Sequence, residues 1–260
     1  MSGPLKPQDR VIAALDVKSI EEATRLVQAL APVGISHFKI GLGLFTAAGP
    51  ASVEAVHRLG GKVFLDLKFY DIPSTVGRAV QAATRLGIWM ANLHIQGGSS
   101  MMRHALAAAG EESARLKRKP PILIGVTVLT SMAERDLADL GVRKTLKDQV
   151  LYLAKLAKSV GLNGIVASPQ EAKVIRWACG EDFLIVTPGI RPAAPNDSSL
   201  FPAPAKGGAR GDDQQRTATP SEAVSAGADY IVVGRPIWEA PDPAQAAKGI
   251  VEKLQEGSKG

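Results

Sequence analysis

Cysteine is all but absent: Cys179 stands alone in 260 residues, which excludes an internal disulfide and any cysteine-based metal site. Aromatic residues make up only 5%, too few to suggest the stacking platform of a single-strand nucleic-acid binder. No apolar run reaches the roughly 20 residues of a membrane-spanning helix. The opening Met1–Arg10 segment is short and polar, without the apolar centre of a signal peptide. Walker-type phosphate loops and His-Glu-x-x-His are missing, and Gly41-Leu42-Gly43-Leu44-Phe45-Thr46 carries two glycines of the dinucleotide fingerprint but no third. Together these absences predict a cytoplasmic protein with no membrane or nucleic-acid partner.

What is present is globular in character, with 45% hydrophobic and 22% charged residues, so a sizeable core is available. The formal net charge of +6 leaves an anionic substrate as one reading. The densest basic run, Arg115-Leu116-Lys117-Arg118-Lys119, closes a predicted helix, where cations are favourable in any case.

Apolar, β-branched runs recur along the chain. They are Val11–Val17, His37–Gly43, the run that opens the stretch Val63–Thr75, Met90–Gln96, Ile122–Leu129, Gly164–Ser168, Phe183–Thr187 and Tyr230–Arg235. Between them lie helical patterns: Ser19 capping a helix through Ala31, about Ser74–Leu86, an Ala-rich stretch after Gly97-Gly98, about Lys147–Val160, one opened by Pro169, and about Pro243–Leu254. Strands alternating with helices pair in parallel through crossovers. Eight such units predict an α/β chain forming a single (β/α)8 TIM-barrel domain over 1–260; an open doubly wound sheet is the alternative. The one composition shift, Pro192–Arg216, is rich in Pro, Ala, Gly and Asp and reads as a long loop at about 192–216, a lid or an insertion.

Charges fall where a buried sheet should have none. Asp66, Lys68 and Asp71 sit at and beyond the end of the third strand, and strand alternation puts Asp66 and Lys68 on one side. A structural ion pair is the plain explanation, but buried pairs seldom gain much over apolar residues of similar volume. A lysine flanked by carboxylates keeps its proton, which makes it a poor base and a good acid. With Asp16 and Lys39, five ionisable residues cluster on the first three strands at the end where barrels carry their active sites. Lys39, Asp66, Lys68 and Asp71 are expected to alternate in sign as one coupled network. On the other side, Arg191 within Thr187-Pro188-Gly189-Ile190-Arg191-Pro192 and Gly234-Arg235 occupy the loops where barrels bind phosphate. His94, near the mouth, reads as a satisfied core histidine before a catalyst.

These residues resemble the orotidine 5′-phosphate decarboxylase family over nearly the whole chain. The likeness runs through Ala14-Leu15-Asp16, Phe38-Lys39-Ile40-Gly41, Asp66-Leu67-Lys68-Phe69-Tyr70-Asp71-Ile72-Pro73-Ser74-Thr75, Val126–Ser131, Thr187–Pro192 and Val233–Pro236. The resemblance implies decarboxylation of orotidine 5′-monophosphate to uridine 5′-monophosphate and CO2 without metal or organic cofactor. It implies Lys68 as proton donor, with Asp66 and Lys39 beside it. Asp71, Ile72 and Thr75 are then presented to the partner's site in a homodimer, Asp16 and Lys39 hold the ribose, and Thr130 lies near the pyrimidine. Arg191, Gln214, Gly234 and Arg235 match the phosphate end, and the segment before Gln214 is longer than the family pattern.

Two rivals are distinguishable. Mg-dependent sugar-phosphate enzymes of the same superfamily share an Asp-x-Lys-x-x-Asp motif, but an acidic metal ligand is expected where this chain has Lys39. A basic RNA-binding protein would need its cations on an exposed surface rather than at barrel-mouth positions.

Overall fold

The computed structural model describes residues 5–191 and 216–256. Eight strands close into a parallel barrel in chain order: β1 Val11–Ala14, β2 His37–Gly41, β3 Lys62–Phe69, β4 Met90–His94, β5 Ile122–Val126, β6 Gly164–Val166, β7 Leu184–Thr187 and β8 Tyr230–Val233. Closure comes from β1 against β8, with Ile12 opposite Val232. The surrounding helices are α1 Ile20–Leu30, α2 Leu42–Ala48, α3 Pro50–Arg58, α4 Pro73–Arg85, α5 Gly98–Arg115, α6 Glu134–Asp139, α7 Leu146–Val160, α8 Pro169–Cys179, α9 Pro220–Ser225, α10 Arg235–Trp238 and α11 Pro243–Glu256.

Strand residues alternate between two apolar layers, as a two-residue period demands. Val11, Ala13, Phe38, Ile40, Val63, Leu65, Ala91 and Leu93 face the helices. Ile12, Ala14, Phe64, Met90, Ile124, Val186 and Val232 fill the barrel's interior. Being covered on both faces explains why the strands read as continuous hydrophobic runs. No helix among the described residues is long and apolar enough to cross a membrane.

Six of the observed strands, all but β3 and β7, stop short at their C-terminal ends of the apolar runs, because the barrel ladder ends where the chain turns out into the mouth loops. The difference in kind is at Leu42-Gly43, which the run extends as strand and the structure makes the start of α2. The glycine pair there opens a helix, and Gly49, in the φ 56° region that side chains rarely adopt, breaks α2 from α3. The sequence reading assigns neither helix, although Pro50 marks the start of α3. Elsewhere the caps behave as their residues dictate: Ser19 accepts from the Glu22 amide at the start of α1, and Ser168 closes a capping box with Glu171 at the start of α8.

Candidate active site

The alternation that places Ile12, Phe64 and Met90 inside the barrel continues one step higher with different chemistry. Lys39, Asp66 and Asn92 are the inward positions at the top of β2, β3 and β4, and Asp16 follows β1. They form a connected set. Lys39 Nζ lies 2.9 Å from Asp16 Oδ1 and 3.4 Å from Asp66 Oδ2, and Lys68 Nζ donates to Asp66 Oδ1 at 2.7 Å. Asn92, 1% exposed, locks the centre, its Nδ2 donating to Asp66 Oδ1 at 2.7 Å while its Oδ1 accepts from the Lys68 amide at 2.8 Å.

Burial by itself would push Lys39 down and Asp66 up. In Lys39, Asp66 and then Asp16 reverse that effect and hold the ammonium above its ordinary range. In Asp66, Lys39 and then Lys68 do the same in the other direction, holding the carboxyl below its ordinary range. Both are therefore charged near neutral pH. Gly41 leaves the room: a β-carbon there would stand 3.1 Å from Lys39 Nζ and 3.2 Å from Asp16 Oδ1.

Lys68 meets Asp66 by a route that simple alternation does not describe. Leu65 pairs with Ala91 but Phe69 with Leu93, so the register shifts between them, and Lys68 sits at φ 50°. The bulge turns its amide to Asn92 and its ammonium back onto Asp66. Asn92 is a member of the cluster that the sequence reading passes over; the available signal was an amide between Ala91 and Leu93 in a buried strand.

A cavity of about 640 Å³ opens over this cluster, with Asp16, Lys39, Asp66, Lys68 and Asn92 at one side. Thr130 and Ser131 line it from the loop after β5, Arg191 from the loop after β7, and Gly234 and Arg235 from the end of β8. Trp238, which sequence reasoning also misses, completes that wall. Among the described residues, no three His, Cys, Asp or Glu side chains converge as a metal site would require.

Asp71, Ile72 and Thr75 do not line this cavity. Asp71 is exposed and its Oδ1 accepts from the Ile72 amide at 2.6 Å, while Tyr70 and Ile72 are 60% and 64% exposed. Within one chain the cluster thus runs Asp16, Lys39, Asp66, Lys68, and Asp71 stands outside it. The reason is geometric: after the bulge the chain turns outward, and Pro73 commits it to α4. Gln214 lies outside the described residues.

His94 departs from the expectation of a satisfied core histidine. Among the described residues no hydrogen-bond partner reaches its buried Nδ1, and its ring lies 5.5 Å from that of Tyr70. Burial, then the charge of Lys68, pushes its pKa down, so it adds no positive charge beside the cluster.

Residues 9–250 match the family described as "Orotidine 5′-phosphate decarboxylase / HUMPS family". An orotidine 5′-phosphate decarboxylase of Moorella thermoacetica is 47% identical over 249 residues, covering 95% of this chain and 93% of that protein. One from Trichlorobacter lovleyi is 47% identical over 251 residues, covering 96% and 97%. The crystal structure of orotidine 5′-phosphate decarboxylase from Lactobacillus acidophilus superposes with a TM-score of 0.79 at 35% identity, covering 95% of this chain and 99% of that one.

Proposed function

The chain belongs to the orotidine 5′-phosphate decarboxylase / HUMPS family, and from that premise we propose that Lys68, held on Asp66, is the acid that takes the place of the departing carboxylate. The protein is a carboxy-lyase that converts orotidine 5′-monophosphate to uridine 5′-monophosphate and CO2, a step of pyrimidine biosynthesis. The observation that carries the proposed mechanism is the 2.7 Å contact between Lys68 Nζ and Asp66 Oδ1 at the edge of the cavity.

The chemistry asks for that arrangement. When the bond between the pyrimidine C6 and its carboxylate breaks, the electron pair stays on C6, with no adjacent group to delocalise it. An ammonium fixed nearby stabilises that charge as it develops and then delivers its proton to C6, leaving a neutral amine that solvent reprotonates. Asp66 aims the ammonium. Its own charge also disfavours a second carboxylate beside it, so the substrate's carboxylate is under repulsion that its loss relieves. Lys39 neutralises Asp66 from the far side and, with Asp16, offers a donor and an acceptor to the ribose hydroxyls. Thr130 and its loop address the pyrimidine. Arg191 and Arg235, with the Gly234 backbone, grip the phosphate, and that remote binding energy orients the reacting carbon. Gln214 is assigned to the same end by its motif alone.

The fourth charge of the network comes from a second copy of the chain. Asp71 is outside its own cavity, and it sits beside exposed Tyr70 and Ile72, an apolar pair suited to a contact between subunits. A homodimer in which each Asp71, Ile72 and Thr75 enters the neighbour's site restores the alternating Lys-Asp-Lys-Asp set.

Following the loss of orotidine 5′-monophosphate absorbance with purified protein tests the assignment. Turnover should survive EDTA, since Lys39 and Lys68 supply the positive charge that a metal would otherwise bring. Strong inhibition by EDTA that Mg2+ reverses would overturn the cofactor-free mechanism.

A further inference from the structure

One buried cation near the cavity takes no part in the steps above. The Arg216 side chain is 10% exposed, and its Nη1 lies 2.5 Å from Glu171 Oε1, itself on a side chain only 6% exposed. Its Nη2 donates to the Leu129 carbonyl at 3.0 Å. Glu171 uses its other oxygen to accept from the Ser168 amide at 3.1 Å, in the capping box of α8. Two residues beyond Arg216, Ala218 is laced to the loop after β7. The Arg191 amide donates to the Ala218 carbonyl at 2.9 Å, and the Ala218 amide donates to the Gly189 carbonyl at 3.3 Å. A single guanidinium therefore joins the loop after β5, the helix cap after β6 and the strap beside the loop after β7.

Two of those segments line the cavity: Leu129, Thr130 and Ser131 on one, Gly189 and Arg191 on the other. In the proposed function the first addresses the pyrimidine and the second the phosphate. A buried ion pair adds little stability over a well-packed apolar pair, and fixing one arrangement is its better-attested use. The guanidinium fork satisfies a carboxylate and a carbonyl at once in set directions, which a lysine ammonium on a flexible stem does not reproduce. We infer that Arg216 is a positioning residue that sets the spacing between the pyrimidine-side and phosphate-side walls of the cavity, so that a nucleotide gripped at its phosphate presents its ring correctly to Lys68.

The inference rests on the decarboxylase reading and is tested in the full-length enzyme with Arg216→Met, which keeps the stem and removes the fork. Substrates are orotidine 5′-monophosphate and orotidine, which lacks the phosphate. Misplacing a reacting group by about 1 Å can reduce rates about 100-fold, so kcat/KM for the nucleotide should fall about 10- to 100-fold. For orotidine it should change less than about twofold, since with no phosphate held there is no spacing to enforce. A general loosening of the fold would lower both alike. Arg216→Lys should show the same asymmetry at smaller size, and it decides the matter if Arg216→Met does not fold. Equal losses for the two substrates, or a wild-type kcat/KM for the nucleotide in a folded variant, would overturn the positioning role while wild-type turnover left the decarboxylase reading standing. Absence of turnover by the wild-type protein would sink that reading, and the inference with it.

Discussion

Asp66 and Glu112 are both buried carboxylates held by two cations, one at the barrel mouth and one between helices on the outside. Glu112, 1% exposed, is bound by Arg85 Nε at 2.9 Å from α4 and by Arg115 one turn further along α5, with Gln81 Nε2 at 3.1 Å. Hydrogen bonds from Arg115 and then Arg85 bring its pKa down to about 2. Its arginines are half exposed, and neither Glu112 nor those arginines line the cavity at the barrel mouth. Asp66 is held instead by two lysines and an amide, and Lys68, 31% exposed, reaches open space. Arginine gives up no proton at any relevant pH, so the Glu112 cluster can only fasten α4 to α5. Lysine carries a proton that it can lose, and a cavity gives it something to lose it to. A buried carboxylate between cations is thus neither structural nor catalytic in itself; the kind of cation and the adjoining space decide.

The sharpest way to break that comparison is Lys68→Ala. General-acid catalysis contributes about 10²- to 10⁴-fold and charge stabilisation adds to it, so kcat/KM should fall at least about 1000-fold in a protein whose circular dichroism is unchanged. Retention of a tenth of the activity would remove Lys68 from the mechanism. Mixing inactive Lys68→Ala with inactive Asp71→Ala subunits should then restore activity, to about a quarter of the wild-type rate per site for random two-fold pairing. No recovery after verified subunit exchange would return the network to a single chain.

The same chemical change made at both acids sharpens the contrast further. Asp66→Asn should lower kcat/KM about 100-fold, whereas Glu112→Gln should leave it within about twofold, since nothing near it touches substrate. Glu112→Gln should instead lower the thermal midpoint. The sign with pH follows from a folded-state pKa held below the ordinary 4.5. The Glu112 contribution is complete above that value and is lost as pH falls toward about 2. Melting curves of wild type and Glu112→Gln should therefore converge across that acid window; a gap that widened there would contradict the ion-pair account.

The two clusters differ as much in how far the sequence announces them. Asp66, Lys68, Asp16 and Lys39 interrupt apolar runs that the barrel buries on both faces, so strand periodicity alone places them together at the mouth. Glu112 sits in a helix among other charges, and its partner Arg85 is 27 residues away, a pairing without local signature. Asn92 is hidden likewise, 26 residues from Asp66. Alternation brings Lys68 to the correct side, but the bulge that aims it depends on the register with β4, which no single strand encodes. The eight strands were legible because their burial is two-sided; α2 was not, because Gly41 and Gly43 continue the look of the strand before it, while α3 was passed over although Pro50 opens it and Val53 and Val56 give it a buried stripe. Arg216 was equally illegible, its role depending on Glu171 and Leu129 from two other loops.

The left-handed backbone at Lys68 is strain that the position cannot shed. A non-glycine residue held at φ 50° costs on the order of 1 kcal/mol, which glycine alone would relieve. Glycine would also take away the ammonium 2.7 Å from buried Asp66, and stripping one partner from a buried ion pair costs more than that relief returns. The strain is therefore retained by the contact it makes possible, and stabilising changes to this chain are to be sought away from position 68.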